Sequence, residues 1–242
     1  FAWGADPDYI VKSYITRKGV EFKFYYQADS NIDGAWDSLP RAMDYALEII
    51  SQWCGDYPYS QYSFVQGGDG GMEYPMLTMI TGRRPFKSLL GVSIHEIVHS
   101  WFQGLLATNE LAFPWMDEGF TDFLTNIVMD QFSLKGSEDI FQSDKNAYLH
   151  FVNSNLEEPL TTHADHYNTN KAYGINTYVK GSLYLLQLKG IVGLSTFQKS
   201  LYQYCQEWRY KHPRPEDFLR IFEKNSGMQL DWYNQYWINS TK

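Results

Sequence analysis

His95, Glu96, His99 and Glu118 are the residues of this 242-residue chain whose types and spacing suit metal chemistry. The two histidines stand four apart in HEIVH. On a helix, residues at i and i+4 lie about 40° apart, so both rings can aim at one point. Glu96 projects about 100° further round the same helix, where it can reach a water on the metal without being a ligand. Glu118 follows His99 after eighteen intervening residues, at the start of a second helical pattern, and supplies a third ligand. Imidazole and carboxylate donors suit zinc, and three protein ligands leave a fourth position open for water or substrate, as in a catalytic rather than a structural site. The expected chemistry is hydrolysis by an activated water. Asp122, one turn beyond Glu118, shares its face; it either orients a ligand histidine through the free ring N–H or is a solvated carboxylate.

These side chains need two helices and a cleft. Ser88 precedes the apolar run LLGVSI and is expected to cap the helix carrying His95. After Glu118 the run GFTDFLTNIVMDQF is helical by pattern. Upstream, Leu39, Met43, Ala46, Leu47 and Ile50 fall at helical spacing within residues 35–53, and Gly55 stops that helix. EFKFYYQ alternates and reads as an edge strand, and DYPYSQYSFVQ as a turn followed by a short strand. Residues Gly67 to Gly71 form GGDGG, but neither a Lys-Ser/Thr pair nor a helical pattern follows, so this is not read as a phosphate loop. Met72-Glu73-Tyr74-Pro75 and then MLTMI read as one strand, with the preceding glycines permitting close approach of a backbone or ligand. Glu73 is then either a solvated edge residue or a carboxylate at the rim of a cleft. Beyond Ser137 the pattern is helical at about 137–154, 174–190, 194–211, 215–225 and 229–238, with Pro213 and Pro215 marking a break. Strands and helices mixed N-terminally, then helices alone, predict an α+β fold with a small mixed sheet.

Composition excludes several classes. Hydrophobic residues at 44% and charged residues at 20% exclude a disordered chain, and no apolar run is long enough to span a bilayer, so no transmembrane segment is expected. A net charge of -8 argues against nucleic-acid binding. The aromatic share of 17% reads chiefly as core, with stacking surfaces as the alternative. Cys54 and Cys205 are too few for a disulfide framework and are either free or one bridge. His163 and His166, in THADHYN, have ligand-like spacing but lie in a polar stretch and read as a surface loop. The chain starts at Phe1 without Met and reads as a mature or excised fragment, which leaves secreted, cell-envelope and cytoplasmic locations all open and sets no oligomeric state.

GGMEYP at 70–75, HEIVH at 95–99, WMDEGF at 115–120 and Tyr178-Val179-Lys180-Gly181 resemble, in order and spacing, the aminopeptidase N and leukotriene hydrolase family of gluzincin metallopeptidases. The resemblance implies a thermolysin-like catalytic domain over residues 35–242, with residues 1–34 the end of a preceding β-rich region and the family's flanking domains absent. It implies one zinc ion on His95, His99 and Glu118, and Glu96 as general base and then proton shuttle. It also implies that Glu73 grips the α-amine of a peptide with a free N-terminus, that the backbone at Gly71 and Met72 pairs with the peptide, and that Tyr178 donates to the oxyanion. The alternatives are a peptide-binding module that keeps zinc but has lost turnover, or a hydrolase of a non-peptide on the same fold. Trp101-Phe102-Gln103-Gly104 where WFGN is common, Tyr74 for the usual Asn, and Thr125 where a glutamate is common mark a divergent branch.

Overall fold

A computed structural model describes residues 2–29, 33–68, 70–133 and 139–241. The expected start of a helix at 137 and Asp69 of the glycine run lie outside the described residues. The chain divides into two compact units, residues 1–100 and 101–242.

In the first unit, Tyr9–Ile15 (β1) and Glu21–Gln27 (β2) form an antiparallel hairpin. Its turn closes through Thr16 N–H to Val20 O (2.9 Å) and Gly19 N–H to Thr16 O (2.9 Å), with Gly19 at φ 79°. Asp33–Cys54 (α1) then crosses over to Gln61–Gly67 (β3), which runs parallel to β2. Gly71–Tyr74 (β4) and Leu77–Thr81 (β5) complete a five-stranded sheet in the order β1-β2-β3-β5-β4. EFKFYYQ is therefore an interior strand, not the expected edge, because YIVKSYI supplies a further alternating partner on its outer side. The single strand expected over 72–80 is two: Pro75 lacks an N–H, Met76 takes φ 60°, and the chain reverses there into the antiparallel β4–β5 pair.

Trp36, Leu39, Met43, Ala46, Leu47 and Ile50 of α1 are buried. Phe22, Phe24, Tyr62 and Phe64 form an aromatic layer on the sheet, Phe24 and Phe64 stacking with centroids 4.8 Å apart. Phe86–His99 (α2) starts behind Pro85 (φ -57°), without a side-chain cap. Ser88 is not the cap; it lies inside the first turn, where its hydroxyl accepts from Arg84 (3.2 Å). Proline before the first turn presets the backbone and makes a hydroxyl cap at position 88 unnecessary. α2 runs on into a π-helical segment, Ser100–Leu105.

The second unit is helical: Pro114–Asp130 (α3), Gln142–Val152 (α4), Asn170–Gly174 (α5), a π-helical segment Ile175–Lys180, Gly181–Val192 (α6), Leu194–Glu207 (α7), Pro215–Ser226 (α8) and Asp231–Trp237 (α9). Its core joins Trp115, Phe120, Tyr184, Tyr204, Phe218 and Phe222. α7 stops at Glu207 rather than 211, because Tyr210 N–H bonds to Leu105 O (2.7 Å) and His212 N–H to Leu106 O (3.1 Å), which draws 208–212 out of the helix. Cys54 and Cys205 are both buried, and neither forms a disulfide. Among the described residues no helix is long and apolar enough to cross a membrane.

Candidate active site

Leu89, Leu90, Ile94, Ile97 and Val98 bury α2 and fix its rotation, which leaves His95 and His99 one turn apart on the same face. Their Nε2 atoms stand 3.2 Å apart, with the rings at 81° to each other. Two nitrogens bound to tetrahedral zinc at about 2.0–2.1 Å lie about 3.3 Å from each other, so the pair already has the bite of a zinc site. His99 is buried and His95 half-buried.

Glu96 is 5% exposed, and its carboxylate lies directly against β4. A Cβ at residue 71 would sit 2.2 Å from Glu96 Oε1 and 2.9 Å from Val92 Cγ2, so the absent side chain of Gly71 is what admits the carboxylate. Glu73 is two residues on along the same strand and therefore shares the face of Gly71. A carboxylate oxygen of Glu73 comes within 4.8 Å of a ring nitrogen of His99. Met72 stands on the opposite face, 37% exposed, and its carbonyl accepts from Thr78 Oγ1 (3.1 Å). Tyr62, which the motifs do not mark, donates its hydroxyl to Glu96 O (3.1 Å) and ties β3 to α2. Its phenol is raised well above the ordinary value by complete burial, then by the Glu96 charge, with smaller contributions from Tyr57 and Glu73.

In the second unit, Pro114 at the first position sets α3, and Asp117 in its first turn complements the helix dipole. Glu118 is 9% exposed and accepts a 2.5 Å hydrogen bond at Oε1 from the Tyr178 hydroxyl. The expected oxyanion donor is thus engaged with the expected metal ligand. Burial first, and the Glu118 charge second, hold the Tyr178 phenol far above its usual range, so it stays a donor. Two glycines set this pairing: a Cβ at Gly119 would lie 2.7 Å from Gly181 Cα and 2.9 Å from Thr177 O, both rigid backbone. Gly119→Ala is therefore expected to destabilise the protein by about 1–3 kcal/mol, as overpacking does. It should also lower turnover by displacing Tyr178 from Glu118; a urea midpoint and a rate that both match the parent would refute this.

Asp122 lies one turn beyond Glu118, and its charge, after burial, helps raise Asp144 to about 7, against a hydrogen bond from Asn126 Nδ2 (2.9 Å). Thr125 is buried on the same helix. Where a surface loop was expected, Ala164–His166 form one 3-10 turn capped by His163, whose Nδ1 accepts the Asp165 N–H (3.2 Å). Lys180 went unassigned in the sequence; its Nζ lies 2.8 Å from Glu157 Oε1 with both side chains buried. The YVKG run flags Lys180, but nothing local marks a partner twenty-three residues away.

Residues 51–237 match the model of the peptidase family M1 domain. This chain belongs to peptidase family M1. Among M1 relatives, rice (Oryza sativa subsp. japonica) Aminopeptidase M1-A is 26% identical over 155 residues, covering 60% of this chain and 17% of that protein. Rat (Rattus norvegicus) Aminopeptidase B is 30% identical over 165 residues, covering 63% of this chain and 25% of that protein. An M1 zinc metallopeptidase from Deinococcus radiodurans, solved as a mutant with a Tyr-Ser-Ala substrate bound, superposes with a TM-score of 0.77 at 18% identity, over 97% of this chain and 52% of that one. The fold is shared, and this chain spans about half of that structure and a quarter or less of the two named curated relatives.

Proposed function

We propose that this chain carries the catalytic centre of a zinc-dependent aminopeptidase that removes the N-terminal residue of peptides. The observation that carries the reading is the pair of histidine nitrogens 3.2 Å apart on α2, with the carboxylate of the intervening Glu96 packed against the end strand β4. His95, His99 and Glu118 would hold the ion, which when bound supplies Lewis-acid chemistry to a water and to the scissile carbonyl. Glu96 takes the proton of the attacking water and passes it to the departing amine. Tyr178, kept protonated, donates to the oxygen on which charge develops, exchanging its present acceptor for that one. Asp122 steadies a ligand histidine through its ring N–H.

β4 ends the sheet order, so its outer edge can take an extended peptide as an added strand through the backbone at Gly71 and Met72. Glu73 faces the side of β4 that carries Glu96 and binds the substrate ammonium, which measures one residue from the chain end. The layout is thermolysin-like: a helix with the histidine pair beside a sheet edge, with the third ligand on a later helix. Residues 35–242 belong to this catalytic domain, and β1 and β2 of residues 1–34, read from the sequence as the end of a preceding β-rich region, pair into its sheet. Its partners are peptides with a free N-terminus.

Glu73→Ala is expected to lower kcat/KM on aminoacyl substrates about 100-fold, the loss of about 2–3 kcal/mol for a charge partner. Zinc content should be unchanged, and discrimination against N-acetylated substrates should vanish. An unchanged kcat/KM would remove the assignment. The reading as a whole is tested by hydrolysis of aminoacyl chromogenic substrates by the full-length protein, abolished by chelator and restored by zinc; a protein that holds zinc yet turns over none of them is not an aminopeptidase.

A further inference from the structure

We infer that Arg84 is a positioning residue that clasps β4 to α2 and so sets where substrate lies against Glu96; the inference rests on the aminopeptidase reading above. Arg84 occupies the turn between β5 and α2. Its guanidinium donates from Nε to Thr81 O (3.2 Å), from Nη1 to Ser88 Oγ (3.2 Å) and from Nη2 to Gly70 O (2.9 Å). The three acceptors belong to the end of β5, the first turn of α2 and the residue immediately before β4.

The base of this clasp is fixed. Trp36 of α1, fully buried, donates its indole N–H to Gly82 O (3.1 Å), which pins the turn from which Arg84 projects. What it holds is a short strand at the end of the sheet order. β4 has four residues and, among the described residues, pairs with β5 only. It is entered through Gly67, Gly68 and Gly70, and glycine retains the most backbone freedom of any residue. A bond to the Gly70 carbonyl restrains that freedom one residue before Gly71, whose backbone abuts Glu96.

Only arginine suits the task, because its planar fork presents donors in three directions at once, whereas an ammonium is a single point on a flexible stem. Without the fork, β4 samples other heights relative to α2, and substrate must order the strand as it binds. Once bound, the complex has the same Glu96, Glu73 and ligand set. The effect therefore falls on KM rather than on kcat.

The test uses Arg84→Met and Arg84→Lys in the full-length zinc-loaded protein, with a free-amine tripeptide as substrate. Arg84→Met is expected to raise KM about tenfold, the equivalent of ordering about one residue on binding, with kcat within about twofold and zinc content unchanged. Amide hydrogen exchange over 67–74 should accelerate while that of α1 does not. Arg84→Lys should fall between the two, since it can serve one acceptor at a time. An active parent with KM unchanged in Arg84→Met overturns the Arg84 role alone, and so does a joint fall in kcat, zinc content and α1 protection, which is general unfolding. A parent that neither cleaves nor binds the tripeptide, by calorimetry, overturns the aminopeptidase reading and the clasp's role together.

Discussion

Glu96→Gln lowers kcat by about 10²- to 10⁴-fold, the range by which a positioned general base accelerates proton transfer, and leaves zinc bound. The amide keeps the shape of the carboxylate, so the space opened by Gly71 remains filled and β4 is not disturbed. The backbone of residue 96 still accepts the Tyr62 hydroxyl, so the tie from β3 to α2 persists. What is lost is the ability to accept a proton from water, since an amide oxygen is far less basic than a carboxylate. His95 and His99 keep their spacing, and KM should change little. Steady-state rates on an aminoacyl anilide, with metal content measured on the same sample, decide the matter. A residual rate within tenfold of the parent would assign the proton transfer elsewhere, and a loss of zinc would make Glu96 a structural residue.

Lys180→Met is the second large effect, and it is expected in stability. Lys180 and Glu157 are both buried, their side chains 2% and 4% exposed, and Nζ also donates to Ser240 O (3.2 Å). Burial pushes the ammonium below its ordinary range, and the Glu157 partner opposes that shift. Methionine fills the volume but leaves Glu157 with the Tyr148 hydroxyl (2.7 Å) in place of a cation. Breaking a buried pair from one side costs about 3–5 kcal/mol, because the remaining charge stays out of water. The double variant Lys180→Met with Glu157→Gln removes both charges and should recover most of the loss. Urea midpoints for the single and double variants test this, and a single variant within about 1 kcal/mol of the parent would mean that the pair is effectively solvated. Because Lys180 closes the π-helical segment that carries Tyr178, the single variant should also lose turnover at temperatures where it is still folded.

The geometry of the histidine pair was legible in the sequence because it depends on spacing within one element. Two histidines four apart need only a helix to converge, and the helix is demanded by the apolar positions around them. The same periodicity placed α1, α3 and the helices beyond residue 170 to within a few residues. Fold class followed, since strand and helical patterns segregate along the chain. The expectation of zinc came from donor types, and the family, which the M1 domain match bears out, from four motifs in order.

The sequence alone did not show how elements meet. That β2 is interior depended on a hairpin partner whose alternation was weaker, and the reversal at Met76 depended on a non-glycine residue accepting positive φ. Proline at 85 displaced the expected serine cap. Gly119 against Gly181, Tyr178 against Glu118, Lys180 against Glu157 and Arg84 against Gly70 each join residues far apart in the chain. Local spacing determines the angle at which a side chain leaves its own helix or strand. Only the path of the backbone between elements decides which side chains those angles bring together, and that path is chosen by burial summed over the whole core. The sequence by itself therefore picked out the residues proposed to hold zinc and move a proton; the tertiary structure decided how their side chains are packed.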